Sequence, residues 1–127
     1  MPRFRLKGRT FLIVDDEPEI RSIVGDTLEL YGAKVLQAEN GSRALEILRN
    51  EKIDAFLSDV RMPGGDGVFL LEESRKLSFP VPPIVLMTGY ADISEDEAVR
   101  RGAARVINKP FDLRGMIHFL ADTVAAP

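Results

Sequence analysis

Three short, wholly apolar runs that each stop at polar residues set the tightest limit on this chain's fold. Phe11-Leu-Ile-Val14 runs into Asp15, Ala55-Phe-Leu57 into Ser58-Asp59, and Ile84-Val-Leu-Met87 into Thr88. A strand that is apolar at consecutive positions needs cover on both faces, as in parallel sheets flanked by helices. Between the runs the period changes. Ile20, Ile23, Val24, Thr27, Leu28 and Tyr31 recur at the spacing of an amphipathic helix. Asp15-Asp16-Glu17-Pro18 suits its positive start, and Gly32 stops it. Lys34 to Ala38 reads as a second strand, and Asn40 as the cap of a helix to about Arg49 with Ala44, Leu45 and Leu48 inward. Asp54 to Asp59 reads as the third strand, and Val68, Leu70, Leu71, Ser74 and Leu77 mark the third helix. After the stiff connector Phe79-Pro-Val-Pro-Pro83 comes a fourth strand, Ile84 to Met87, then a short polar helix capped by Ser94 and ending near Gly102. Ala104 to Asn108 is a fifth strand, and Asp112 caps a last helix carrying Leu113, Met116, Ile117 and Leu120.

Five strands alternating with five helices imply an α/β fold, a doubly wound five-stranded parallel sheet with right-handed crossovers. Periodicity does not give the strand order. Of the two common doubly wound orders, the flavodoxin-like 2-1-3-4-5 of a (βα)5 chain suits this count. The 127 residues make one domain, with no internal linker. Net charge is −3 and no basic arm or acidic block stands out, so nucleic-acid binding has no electrostatic support. The absence of cysteine excludes disulfides, thiolate metal sites and thiol chemistry, and fits a reducing compartment. The basic start Met1 to Arg9 is followed by an apolar run too short for a signal peptide or membrane span, so the expected location is cytoplasmic.

Asp59 is the pivot. A carboxylate is costly inside a strand, but at the C-terminal edge of a parallel sheet it faces the crevice where such folds bind ligands. Asp15 and Asp16 follow strand one, Thr88 follows strand four and Lys109 follows strand five, all at that same edge. In the assumed order these strands are neighbours. Three carboxylates together would raise at least one pKa unless a cation sits among them, and hard oxygen ligands describe Mg2+, with Mn2+ as the alternative ion. A lysine ammonium and a threonine hydroxyl alongside can pair with anionic oxygens, which describes a place where Asp59 receives a phosphoryl group.

On these residues the chain resembles a response-regulator receiver domain of two-component signalling. The matching segments are Val14-Asp-Asp-Glu17, Asp59 with Met62-Pro63 and Gly67, Met87-Thr88-Gly89, and Asn108-Lys-Pro-Phe111. The resemblance spans about Arg9 to Thr123 and implies an extension at 1–8, the domain at 9–124 and a tail at 125–127. It implies that Asp59 is the phosphoacceptor and that Asp16 and Asp59 bind Mg2+ directly. Asp15 would act through water and Arg61 would add its backbone carbonyl. Thr88 and Lys109 would bind the phosphoryl oxygens, and the Lys109–Pro110 bond would be cis. The implied phosphodonor is a sensor histidine kinase or a histidine phosphotransfer protein, and the partner surface is the fourth helix, fifth strand and fifth helix. Mixed charge there (Arg100, Arg101, Arg105 and Arg114 near Asp92, Glu95, Asp96, Glu97 and Asp112) suggests a weak homodimer.

The chain departs from the family at Val106, where receivers commonly carry a switching aromatic residue. Tyr90 is the substitute candidate. Arg61 and Tyr90 could both cover the open side of Asp59, which predicts slow loss of phosphate. His118 reads as a surface residue, Asp66 as the cap of the third helix, Asp54 as structural, and Glu17 as a solvated helix start, with orientation of the acidic pocket as its alternative. Two other readings stand beside the signalling one. An aspartyl-phosphate phosphatase of the haloacid-dehalogenase kind needs an Asp where Arg61 stands. A receiver-like module without chemistry would not require the reactive positions to be intact. No output domain, kinase or stimulus is legible in these residues.

Overall fold

The computed structural model describes residues 6–60, 67–78, 80–88, 94–108 and 112–125. Each apolar run becomes a strand and each periodic stretch a helix. In chain order these are β1 (Thr10–Val14), α1 (Pro18–Leu30), β2 (Lys34–Ala38), α2 (Gly41–Asn50), β3 (Ala55–Asp59), α3 (Gly67–Ser74), β4 (Ile84–Thr88), α4 (Glu95–Arg100), β5 (Arg105–Asn108) and α5 (Leu113–Ala125). The strands form one parallel sheet in the order β2-β1-β3-β4-β5, as expected for a flavodoxin-like chain.

Alternation along the strands divides the core in two. Leu12, Val14, Phe56, Leu86 and Val106 pack with Ala44, Leu45 and Leu48 of α2, Leu70 and Leu71 of α3 and Ala98 of α4. Phe11, Ile13, Leu57, Val85, Met87 and Ile107 pack on the other face with Val24 and Leu28 of α1 and Met116, Ile117 and Leu120 of α5. Each such side chain contributes about 1.5–3 kcal/mol by leaving water. The central strands β3 and β4 are buried throughout, whereas the edge strands β2 and β5 are partly exposed, which explains why their sequences are mixed.

The expected caps form. Asn40 Oδ1 accepts from the Arg43 N–H at 2.9 Å, Ser94 Oγ from the Glu97 N–H at 3.1 Å, and Asp112 Oδ1 from the Gly115 N–H at 2.6 Å. Gly32 ends α1 at φ 94°, a left-handed conformation that lets the Gly32 and Ala33 N–H groups reach the Glu29 and Leu28 carbonyls. Asp54 lies at the opposite edge from Asp59. Its Oδ2 accepts from the Thr10 N–H at 2.8 Å and Oδ1 stands 3.5 Å from Arg9, joining the starts of β1 and β3 in the structural role expected of it.

Two local expectations are corrected. Ile23, inward by its spacing, is 50% exposed, and Gly25 is buried instead. The helix makes a close approach at Gly25, where a Cβ would lie 3.3 Å from Val35 Cγ1, and this turns the inward face away from Ile23. Helix α3 ends at Ser74 rather than reaching Leu77. The Lys76 and Leu77 N–H groups bond the Glu73 and Ser74 carbonyls in tighter turns, and Leu77 still packs on the core from there. Among the described residues no helix is long and apolar enough to cross a membrane.

Candidate functional site

Register brings the strand ends together. Val14 pairs with Ser58, so Asp15 and Asp59 follow at the same level on β1 and β3. Asp59 pairs with Met87, and Thr88 pairs with Asn108 on β5. Asp15, Asp59 and Thr88 thus stand on three adjacent strands at the C-terminal edge, all buried, while Asp16 and Glu17 are exposed. The sheet supplies rigid mounts for these side chains.

Asp15, Asp16 and Glu17 each offer a carboxylate oxygen to a set lying within 4.8 Å of one another. One member is buried and two face solvent, which suits a hard divalent cation that keeps some of its water. Asp15 Oδ1 also accepts from the Glu17 N–H at 2.9 Å, so the turn into α1 is fixed by one of its own acids. Glu17 caps α1 through its backbone without a side-chain cap bond, and its carboxylate belongs to this acidic set as well. Asp59 lies on the neighbouring strand. Arg61, Asp66, Tyr90, Asp92, Lys109 and Pro110 lie outside the described residues.

Three residues that shape the site were not singled out for that role from sequence. The Gly67 N–H donates to the Val60 carbonyl at 3.0 Å, returning the chain beside the end of β3. A Cβ at Gly67 would lie 2.6 Å from the Asp59 carbonyl oxygen and 3.1 Å from Val60 Cα, so only glycine fits against that backbone. Ser58, fully buried, donates from Oγ to the same Asp59 carbonyl at 3.0 Å. Arg21 donates from Nη1 to the Asp15 carbonyl at 2.7 Å. The glycine is visible in the sequence, but nothing in its spacing tells that it touches Asp59; the other two carry no periodic or motif signal.

Val106 pairs with Leu86 and is buried in the cluster that includes Ala98 of α4, so the position expected to hold a switching ring is a small packed residue under that helix. On the mixed-charge face, Glu97 bonds both Arg100 and Arg101 within α4 and its C-cap. These hydrogen bonds, Arg101 foremost, with the Arg100 charge, hold the Glu97 carboxyl below its ordinary value. Arg105 lies over the Phe119 ring at 4.9 Å. His118 is exposed, as expected.

The sequence profile of the response regulator receiver domain matches residues 11–121. The chain belongs to the response regulator receiver family. This receiver is 37% identical over 111 residues to the response regulator protein FleR of Pseudomonas aeruginosa, covering 87% of this chain and 23% of FleR. It superposes on a CheY-like receiver domain from Methanospirillum hungatei with a TM-score of 0.83 at 28% identity, covering 92% and 94% of the two chains. It superposes on TrrA of Thermotoga maritima, solved in complex with Mg(2+)-BeF, with a TM-score of 0.80 at 29% identity, covering 91% of this chain and 98% of TrrA. The receiver spans about a quarter of the length of the curated relatives it matches. It is a signalling domain of a response regulator, and its acidic cluster is compatible with the Mg2+ that receivers bind.

Proposed function

We propose that this receiver accepts a phosphoryl group on Asp59 from a sensor histidine kinase or a histidine phosphotransfer protein. The observation that carries this reading is the placement of Asp15, Asp59 and Thr88 at adjacent strand ends of a receiver-family sheet, with the Asp15–Glu17 acidic set at the end of β1. In the transfer, the P–N bond of a phosphohistidine breaks as a P–O bond forms to an Asp59 carboxylate oxygen, and the imidazole departs with the electron pair. Asp16 and Asp59 would hold Mg2+ through carboxylates, with Asp15 through water and Arg61 through its backbone carbonyl. When bound, the ion neutralises charge on the transferring oxygens. The Thr88 hydroxyl donates to a phosphoryl oxygen and Lys109 pairs with another. Arg61 and Tyr90 shield the acyl phosphate from water, which makes its loss slow.

The domain is read as residues 9–124, acting in the cytoplasm without binding nucleic acid itself. Its switched surface is α4, β5 and α5. Glu97 already engages Arg100 and Arg101 within one chain, so any homodimer through this face exchanges internal pairs for external ones and is weak. Val106 leaves Tyr90 as the aromatic candidate for the switch.

Incubation with acetyl phosphate and Mg2+, followed by intact mass, tests the reading. One added phosphoryl group, dependent on Mg2+ and lost in Asp59→Asn, is expected. No adduct under saturating donor, or steady turnover of phosphate esters, would overturn it in favour of an inert module or a phosphatase.

A further inference from the structure

Arg21 brackets Asp16. Its backbone N–H donates to the Glu17 carbonyl at 3.2 Å, and its Nη1 donates to the Asp15 carbonyl at 2.7 Å. Its Nε donates to Gln37 Oε1 on β2 at 3.2 Å. The bond to Glu17 is the ordinary backbone bond of the first helical turn, whereas the Asp15 carbonyl is held by the arginine side chain, which is itself anchored to the edge strand. The Asp15 N–H adds a second tie to β2 by donating to the Ala38 carbonyl at 3.1 Å. A guanidinium sets its N–H groups in one rigid plane, so two side-chain bonds made from it fix the distance between their acceptors. Both of these acceptors are neutral, so these bonds position backbone and strand without using up a carboxylate of the acidic set.

We propose that Arg21, locked by Gln37, is a positioning residue that presets the Asp15–Glu17 backbone for a divalent cation. This rests on the receiver reading of the acidic loop. Two effects of the arginine oppose one another. Its charge repels a cation, but Asp16 and Glu17 are open to water, where salt and solvent screen that repulsion. Its bonds fix groups that carry metal ligands, and partners of that kind are worth about 10–100-fold in metal affinity. Positioning therefore outweighs repulsion.

The two effects separate by substitution. Arg21→Lys keeps the charge and loses the planar fork; Arg21→Met loses both; Gln37→Ala keeps the arginine and frees its anchor. Titration of the chain with MgCl2, followed by the amide shifts of Asp15, Asp16 and Glu17, reads affinity without any turnover. Amide exchange of Glu17 in Mg2+-free buffer reads the order of the loop. We expect Mg2+ binding weakened about ten-fold in Arg21→Met and about three-fold in Arg21→Lys and Gln37→Ala, within or below the range for such partners. Glu17 exchange should quicken in all three while global stability of Gln37→Ala stays near wild type. Wild-type affinity in Arg21→Lys, or tighter binding in Arg21→Met, would show that the arginine acts only as a charge and would overturn the proposal. A wild-type chain with no saturable Mg2+ response would overturn the receiver reading itself, a different and recognisable failure.

Discussion

Replacing Gly67 by alanine reverses the usual sign of a helix substitution. In a helix, Gly→Ala ordinarily stabilises by up to about 1 kcal/mol, and Gly67 lies at the first residue of α3 with no positive φ to defend. Against that gain stands the new methyl, placed 2.6 Å from the Asp59 carbonyl oxygen, 3.0 Å from Leu86 Cδ2 and 3.1 Å from Val60 Cα. Two of the three neighbours, the nearest included, are main chain at the end of β3 and cannot swing aside as the Leu86 tip can. Overpacking costs about 1–3 kcal/mol, and rigid surroundings put this site near the upper end. The net is a loss of about 2 kcal/mol, or a fall in Tm of about 6–10 °C for a domain of this size. Urea unfolding checks it through a lowered midpoint at constant m. Gly25→Ala serves as the comparison, because the nearest atoms there are side-chain ends of Val35 and Gln37, and it should cost less. A Gly67→Ala chain as stable as wild type, or more so, would refute the steric argument and the claim that α3 is seated directly on the Asp59 backbone.

Three further outcomes follow from the geometry. Asp54→Ala removes the acceptor of the Thr10 N–H and the partner of Arg9, and should cost about 1–2 kcal/mol in urea unfolding while leaving Mg2+ binding at the other edge unchanged. Asn40→Ala removes the cap bond to the Arg43 N–H, and should cost about 1 kcal/mol with early exchange of the α2 amides. Glu97 is held below its ordinary 4.5 by the Arg101 hydrogen bond and the Arg100 charge, so its contribution to α4 is complete above that value and lost as pH falls through the lower folded one. An NMR titration midpoint for Glu97 at or above 4.5 would contradict this.

The fold was legible because its determinants are local and repeated. The buried runs at Phe11, Ala55 and Ile84 and the caps at Asn40, Ser94 and Asp112 state element type and boundary in single residues. Strand order was not periodic information; it came from the count of strands, and the register confirmed it. Apolar spacing alone admits Ile23 to the inward face of α1 as readily as its neighbours, and only the approach to β2 at Gly25 decides. The strand-end residues Asp15, Asp59 and Thr88 could be collected from sequence because a parallel sheet brings all its C-terminal ends to one edge. Gly67 could be collected only as part of the family pattern, without its contact, and Ser58 and Arg21 not at all, since what they touch is backbone carbonyl, and a carbonyl has no sequence signature.

The central claim is that Asp59, among all the acids at this edge, forms the bond to phosphorus. Borohydride reduction of the phosphorylated chain converts an aspartyl phosphate to homoserine, and peptide mass mapping then locates it. Homoserine is expected at position 59 in the wild-type chain after treatment with acetyl phosphate and Mg2+, and none at Asp15 or Asp16. Conversion at either of those residues, or an equal yield in Asp59→Asn, would contradict it.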